Sequence, residues 1–409
     1  MPRIHDIMSG KDRSVGGHLA RFGLLCLEPF YRGIVGVRNA MFDLGFRKPK
    51  RLPRPVISVG NITTGGTGKT PMVIEIVRRL LAMGQKPAVL LRGYKPSAVD
   101  EAFQIIDETN ELETQINHGR CCRKVRRDEN GNRTVLFDEW DEWEVPIRPQ
   151  PSRYKAGLDV IDLTPEVTCF VLDDGFQHRQ LHRDLNLVLI DAMEPFGYRH
   201  VLPRGMQREG LSRLKQADGI IITRADRVDA TRIDAIDRRI KAITSQPSIA
   251  HAAHQWTGFD IYAHHLIEKA DYEVPESAPR ALRVPLDALR DKRVIAACGI
   301  GNPESFRSML TEHVGELAHL HVFPDHHAYS KEDVRRLAED MKQRGAAAIV
   351  ITPKDYVKWM RYLPPFAPRE WETFNPKQSV PVIYRPQMGM TFLAGEDKLD
   401  ALLKKTLAG

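Results

Sequence analysis

VISVGNITTGGTGKTP, residues 56–71, passes from a short apolar run into a glycine-rich turn and then into a helical pattern beginning near Pro71. A strand, a turn of this kind and a helix in that order make a cradle for a polyphosphate. Gly65, Gly66 and Gly68 let backbone N–H groups turn inward without side-chain clash, and the helix start adds its positive dipole end. Lys69 is placed to reach β- and γ-phosphates, and Thr70 can offer its hydroxyl to Mg²⁺. The nucleotide-contacting stretch is therefore Thr63, Thr64, Gly65, Gly66, Thr67, Gly68, Lys69, Thr70 and Pro71. It departs from the strict pattern G-x-x-x-x-G-K-[ST] at its first position, where Thr63 replaces glycine. A mere glycine-rich turn with an exposed lysine is the competing reading, and the strand-to-helix context argues against it.

A polyphosphate loop needs a metal partner on a neighbouring strand. CFVLDDGFQH, residues 169–178, supplies one: an apolar run closed by Asp173 and Asp174 at its carboxyl end, where ligands gather in doubly wound sheets. With Thr70, these two carboxylates are the expected Mg²⁺ ligands. Helix-capping aspartates are the alternative, weakened by the pairing of two acids with a phosphate loop.

Around these segments, AVLLRGY (88–94), LNLVLIDA (185–192) and GIIITRAD (219–226) read as further strands buried on both faces, separated by helical patterns such as 231–244. Such runs imply a parallel sheet covered on both sides. A second strand-and-helix set begins with RVIAACGIGNPESF (293–306) and continues through LHVFPDHH (320–327) and AAAIVITPKD (346–355). The expected fold is α/β: a P-loop NTPase-like domain over 51–250, a linker over 251–290, and a smaller αβα domain over 291–409. The first domain carries a charged insertion at about 108–144, which reads as an extra hairpin or loop and receives no role.

Residues 1–50 form an N-terminal segment in which HLARFGLLCLEPFYRGIVGVRNAMFDLGF (18–46) mixes apolar residues with Arg21, Arg32 and Arg38. Pro29 is expected to split it into two helical pieces. An apolar surface with interleaved arginines fits a helix lying in a lipid headgroup region, and equally a helix packed on the protein's own core. No stretch reaches the roughly eighteen unbroken apolar residues of a membrane span. The N-terminus lacks the features of a secretory signal.

The 409 residues carry a net charge of +7, which favours anionic partners without choosing among them. No nucleic-acid-binding module is present, and no obligate protein partner is inferred. Five cysteines without a C-x-x-C spacing suggest neither a disulfide framework nor a zinc site, and fit a reducing cytoplasm.

P-loops serve switches, motors and kinases. TRAD (223–226) and TPKD (352–355) loosely match the T-K-x-D guanine reader of GTPases, but neither has lysine second. Thr64 stands where a partner-regulated ATPase carries its signature lysine. A membrane-associated GTPase or ATPase switch is thus the alternative to a small-molecule or lipid kinase.

Several ordered motifs together resemble the tetraacyldisaccharide 4′-kinase family, the lipid A 4′-kinases of outer-membrane biogenesis. They are RLPRPVISVGNITTGGTGKTP (51–71), LRGY (91–94), VLDDGFQHRQLHRDLNLVLIDA (171–192), LPRGMQRE (202–209), ACGIGNPESF (297–306), FPDHHAYS (323–330) and TPKDYVK (352–358). The resemblance implies transfer of the ATP γ-phosphate to a tetraacylated glucosamine disaccharide 1-phosphate. The enzyme would act as a peripheral protein on the cytoplasmic face of the inner membrane, with ATP and Mg²⁺ as cofactors. It favours the interfacial reading of Phe22, Phe30 and their neighbours. It also implies an Asp–His pair for the acceptor proton, Asp100 and His326, working beside Lys69. Arg92, Arg153, Gln177, His178, Arg208 and Glu209 are the candidates for gripping the acceptor, arginine suiting bidentate phosphate contact.

Overall fold

In this computed structural model the described residues are 2–92, 123–127, 133–137, 145–262, 282–301, 303–324, 327–359 and 382–408. Helices α1 (Pro2–Ser9) and α2 (Val15–Asp43) lead to β1 (Val56–Asn61), α3 (Lys69–Ala82) and β2 (Pro87–Leu91). Within the charged insertion, β3 (Arg123–Arg127) pairs antiparallel with β4 (Arg133–Phe137). Then come β5 (Ile147–Pro149), α4 (Arg153–Leu163), β6 (Cys169–Asp173), β7 (Leu185–Asp191), β8 (Gly219–Thr223), α5 (Ala230–Thr244) and β9 (Ala250–Tyr262). The chain continues through β10 (Leu282–Val284), β11 (Arg293–Cys298), α6 (Pro303–Thr311), β12 (Glu316–Val322) and α7 (Lys331–Gln343). It ends with β13 (Ala348–Ile351), α8 (Pro353–Trp359), β14 (Ile383–Ala394) and α9 (Glu396–Ala408).

These elements divide into two units, one of Met1–Tyr94, Val145–His254 and Met390–Gly409, the other of Lys95–Glu144 and Gln255–Gly389. In the first, the strand order is β5-β2-β6-β1-β7-β8 with the start of β9 beyond β8, and every pairing is parallel. All residues of β1, β6, β7 and β8 are buried, which is why their sequences are predominantly apolar, broken within only by Ser58, Gly60 and Asn186, rather than alternating. Ile62, Phe176, Val188, Ile190, Ile220 and Ile222 pack against Ile233, Ile236 and Ile240 of α5. Those isoleucines recur at helical spacing, so α5 turns one apolar stripe to the sheet.

In the second unit β12, β11, β13 and β14 are parallel neighbours, and β10 runs antiparallel to β9. Successive side chains of β11 go to opposite faces. Val294, Ala296 and Cys298 join Trp256, Phe259, Phe306 and Leu310, whereas Ile295 and Ala297 join Val334, Leu337, Tyr356 and Trp359. A mostly parallel α/β architecture is what the apolar runs implied. The stretch expected as a linker holds all but the first residue of the 13-residue strand β9, whose weak alternation had offered little signal.

One local expectation is corrected. Pro29 does not divide the N-terminal segment: α2 is a single helix of 29 residues with Pro29 inside it. A proline there removes a backbone hydrogen bond and costs about 3 kcal/mol. Contacts on either side of Pro29 offset that cost. The nearly buried Glu28 carboxylate accepts from His200 Nδ1 at 2.8 Å and from the Val201 amide at 3.2 Å. Beyond the proline, Tyr31 Oη donates to the Arg208 carbonyl at 3.1 Å and Arg38 Nη2 to Glu209 at 2.7 Å. The helix is kept continuous by its partners, not by its propensity.

The sequence reading kept residues 291–409 together, yet the final helix belongs to the first unit. Arg79 of α3 holds it there, donating to Asp400 at 2.7 Å and Glu396 at 2.5 Å while also bonding Glu75 at 2.9 Å. Its guanidinium lies over the Phe392 ring, 4.7 Å from the centroid. Replacing it strands the half-buried Glu75 without its partner. Arg79→Ala should therefore lower stability by roughly 2 kcal/mol and speed amide exchange across 396–408 in particular. Exchange there equal to that of the unmodified chain would refute this tether.

Candidate active site: a phosphate loop facing two carboxylates

The loop after β1 is fixed from behind by side chains at strand ends. Asn61, fully buried, donates from Nδ2 to Thr67 Oγ1 at 2.9 Å, and Thr223 Oγ1 donates to the Thr67 carbonyl at 3.0 Å. Gly68 caps α3 with φ of +82°, and a Cβ there would lie 2.0 Å from His254 Nε2. Glycine is thus required twice, by backbone and by space. Pro71 sits in the first turn of α3, where a missing N–H costs nothing.

Thr63, the departure from the strict motif, has a structural reason. Its backbone forms an isolated bridge with Gln207, and the Thr64 amide donates to the Met206 carbonyl at 2.7 Å. The position is extended, pinned to the segment 206–208, and so does not demand glycine.

At the end of β6, Asp173 is buried and Asp174 turns into the left-handed region at φ of +51°. Both Asp174 oxygens accept from Arg208 Nη1 at 2.8 Å, and Lys69 Nζ stands 3.7 Å from Oδ1. Burial alone would raise the Asp174 pKa, but the Lys69 and Arg208 charges outweigh it and hold the carboxyl below its usual value. The lysine of the loop and the second aspartate of the pair are therefore partners. Hard oxygen donors from Thr70, Asp173 and Asp174 at this end of the sheet suit Mg²⁺, which takes one or two carboxylates and completes its shell with water and phosphate oxygens.

The residues expected to grip an acceptor occupy two situations. Gln177 bridges inward, donating from Nε2 to the Asn61 carbonyl at 2.7 Å and accepting from Arg208 at 3.3 Å. His178 is pushed down to about 4 by burial and then by Arg153, Arg183, Arg92 and Arg38, so it is neutral at physiological pH. Arg92 is exposed, and its charge acts on both Asp174 and His178. Arg153 is buried at the start of α4 and donates to the Pro151 carbonyl at 3.3 Å. Arg208 is engaged with Asp174. Glu209, also buried, pairs with Arg38 at 2.7 Å and Arg213 at 3.6 Å, so both side chains of the RE pair are turned to protein groups.

Asp100 and His326 lie outside the described residues. The neighbouring His327, in the second unit, is occupied: its Nε2 sits 3.2 Å from Asp333 Oδ2 and its ring stacks on Phe323 at 4.7 Å. In the TPKD motif, Asp355 is fully buried and accepts from the Gly299 amide at 2.8 Å and from Thr352 Oγ1 at 2.5 Å. It fastens the loop after β11.

Sequence reasoning passed over Asn61, Asp191, Arg224 and His254. A polar residue closing a mostly apolar parallel strand was the available signal for Asn61 and Asp191, and one directly after such a strand for Arg224. Arg224 donates from Nη1 to Asp191 Oδ2 at 2.7 Å and from Nη2 to the Gly66 carbonyl.

The sequence matches the family model described as tetraacyldisaccharide-1-P 4′-kinase over residues 20–407. A tetraacyldisaccharide 4′-kinase of Halothermothrix orenii is 33% identical over 359 residues, which is 88% of each chain. One of Geobacter metallireducens is 34% identical over 336 residues, 82% of this chain and 87% of that one. Among solved structures, an LpxK from Aquifex aeolicus in complex with ATP is 25% identical, with a TM-score of 0.61, covering 95% of this chain and 99% of that one.

Like His178, His254 is held down at about 4, chiefly by burial and then by Arg224 and Arg227. An unfolded chain would bind protons at these two histidines near the ordinary imidazole value of 6.5. The stability each contributes is complete above that value and drains away as the pH falls toward about 4, on the order of 3 kcal/mol per group. Denaturant titrations between pH 7 and pH 4.5 should show this decline, and His254→Gln should flatten it. An unaltered slope in that variant would show that the ring is not buried neutral.

Proposed function

Because the chain belongs to the tetraacyldisaccharide 4′-kinase family, we propose that it transfers the γ-phosphate of ATP to the 4′-hydroxyl of a tetraacyldisaccharide 1-phosphate, a lipid A precursor. The observation that carries this reading to particular residues is the 3.7 Å approach of Lys69 to Asp174 at the mouth of a rigidly held phosphate loop. A triphosphate entering there meets loop amides and the start of α3, and Lys69 exchanges its carboxylate partner for phosphate oxygens. Thr70, Asp173 and Asp174 would hold Mg²⁺, which would supply neutralisation of the triphosphate charge.

Arg208 keeps Asp174 ionised and oriented. Asp100 and His326 are assigned the acceptor proton, the carboxylate orienting the imidazole as it draws the proton from a weakly acidic sugar hydroxyl. Arg92, Arg153 and the neutral His178 present cationic and uncharged donors to a phosphorylated sugar. The GTPase reading of TRAD is set aside: Arg224 of that motif turns to the phosphate loop.

The lipid nature of the acceptor draws support from α2. Val15, Leu19, Phe22, Phe30, Ile34 and Val37 are all at least 66% exposed. The opposite side of the helix makes the polar contacts to Arg208 and Glu209 described above. Arg38 is spent on Glu209, so of the interleaved arginines it does not serve headgroups. No helix among the described residues is long and apolar enough to cross a membrane. A helix with one face tied to protein and the other apolar and open suits a seat in the cytoplasmic-side headgroup layer of the inner membrane.

Lys69→Ala should reduce phosphate transfer to the lipid disaccharide by about 10³-fold or more, measured with radiolabelled ATP; turnover near that of the unmodified enzyme would dislodge the site. In competition, unlabelled ATP should suppress transfer far better than GTP. Combined Phe22→Ser, Phe30→Ser and Ile34→Ser should lower the partition constant for phospholipid vesicles, read by co-sedimentation, by about 10³-fold or more, each side chain being worth about 1.5–3 kcal/mol of apolar burial. Unchanged sedimentation would count against the membrane seat.

A further inference from the structure

The end of β8 and the residue after it meet the phosphate loop at two successive carbonyls, and the end of β7 backs them. Thr223 is the last residue of β8 and pairs in register with Asp191, the last residue of β7. Its hydroxyl donates to the Thr67 carbonyl at 3.0 Å. The next residue, Arg224, takes a left-handed backbone at φ of +53° and ψ of +35°, which sends its side chain back over the sheet edge. One arm of the guanidinium reaches Asp191 Oδ2 at 2.7 Å, and the other the Gly66 carbonyl. Asp191 is itself fixed, its Oδ1 accepting from the Met193 amide at 3.0 Å.

A trans peptide is planar, with its carbonyl and the following N–H pointing opposite ways. Drawing the Gly66 and Thr67 carbonyls toward the β7–β8 edge turns the amide that follows each one away from it. The Thr67 N–H closes on the Gly65 carbonyl at 3.1 Å, tightening the turn. The Gly68 N–H is directed away from Thr223, and the ring of His254 blocks any movement of Gly68 in its own direction. Without such restraint a glycine-rich loop would pay ordering entropy when it closed on a ligand.

We propose that Arg224, anchored by Asp191, is a positioning residue that latches the phosphate loop in its ligand-ready shape, so that TRAD serves the phosphates and not the base. This rests on the reading of the loop as the ATP site. Arg224 acts through the Gly66 carbonyl, a charge-assisted bond of the stronger kind. Lysine cannot reproduce it, since one ammonium lacks the planar fork that spans Asp191 and Gly66 together.

The test is equilibrium binding of ATP and of GTP to the full chain, alongside steady-state transfer to the lipid disaccharide. Arg224→Ala should weaken ATP binding by about 10- to 100-fold and raise the KM for ATP, leaving the KM for the acceptor and the ratio of ATP to GTP affinity unchanged. Arg224→Lys and Asp191→Asn should fall between that variant and the parent, and free guanidinium added to Arg224→Ala should recover part of the loss. Parental ATP affinity in Arg224→Ala overturns the latch, and so does a changed ATP-to-GTP ratio, which would mark a base contact. Should Arg224→Ala not fold, Arg224→Lys and Asp191→Asn carry the same comparison, and parental affinity in both overturns it. If the parent chain itself bound no ATP, the reading of the loop as a nucleotide site would fall first.

Discussion

A carboxylate shared between two cations holds the first unit's chemistry in place. Asp174 receives Arg208 on both oxygens and stands within reach of Lys69, so three segments distant in sequence converge on one charge. Each cation alone would be costly to bury, and the carboxylate more so. Together they make a compensated cluster with one positive charge left over, which can be kept half-dry and ready to be opened by a more highly charged anion. The phosphate loop, the end of β6 and the segment 206–208 cannot shift independently without breaking this arrangement.

The same segment links the charge cluster to α2. Arg208 offers its side chain to Asp174 and its carbonyl to Tyr31, while Glu209 beside it accepts from Arg38. One turn of extended backbone thus has the nucleotide side on one flank and the amphipathic helix on the other. The helix is consequently more than an appendage. Its polar face completes the shell of buried groups around the site, and its apolar face is exposed among the described residues.

Much of the architecture was legible in the residues because its cause is local. Strands buried on both faces must be apolar along most of their length, and β1, β6, β7 and β8 are read at once for that reason. The phosphate loop announced itself by glycine spacing between a strand and a helix, and the aspartate pair by its place at a strand's end. What escaped is set by register and by distant partners. Asp191 and Arg224 acquire their pairing only when β7 and β8 align, 33 positions apart along the chain. Pro29 looked like a break because the partners that keep α2 whole, His200, Arg208 and Glu209, lie more than 170 residues away. The acceptor-side pair Arg208 and Glu209 had the right chemistry for a sugar phosphate, but nothing in their own neighbourhood disclosed that Asp174 and Arg38 would engage them.

The left-handed turn at Asp174 filters what can stand there on two unrelated grounds. Its backbone excludes β-branched side chains and penalises most others, admitting glycine, asparagine and aspartate with least strain. Its surroundings demand an anion between two cations. Glycine meets the first condition and fails the second, glutamate the reverse, and asparagine keeps the shape while surrendering the charge. Aspartate alone answers both, so the genetic paths open at this codon are nearly closed, and asparagine is the one exchange that would separate electrostatics from conformation cleanly.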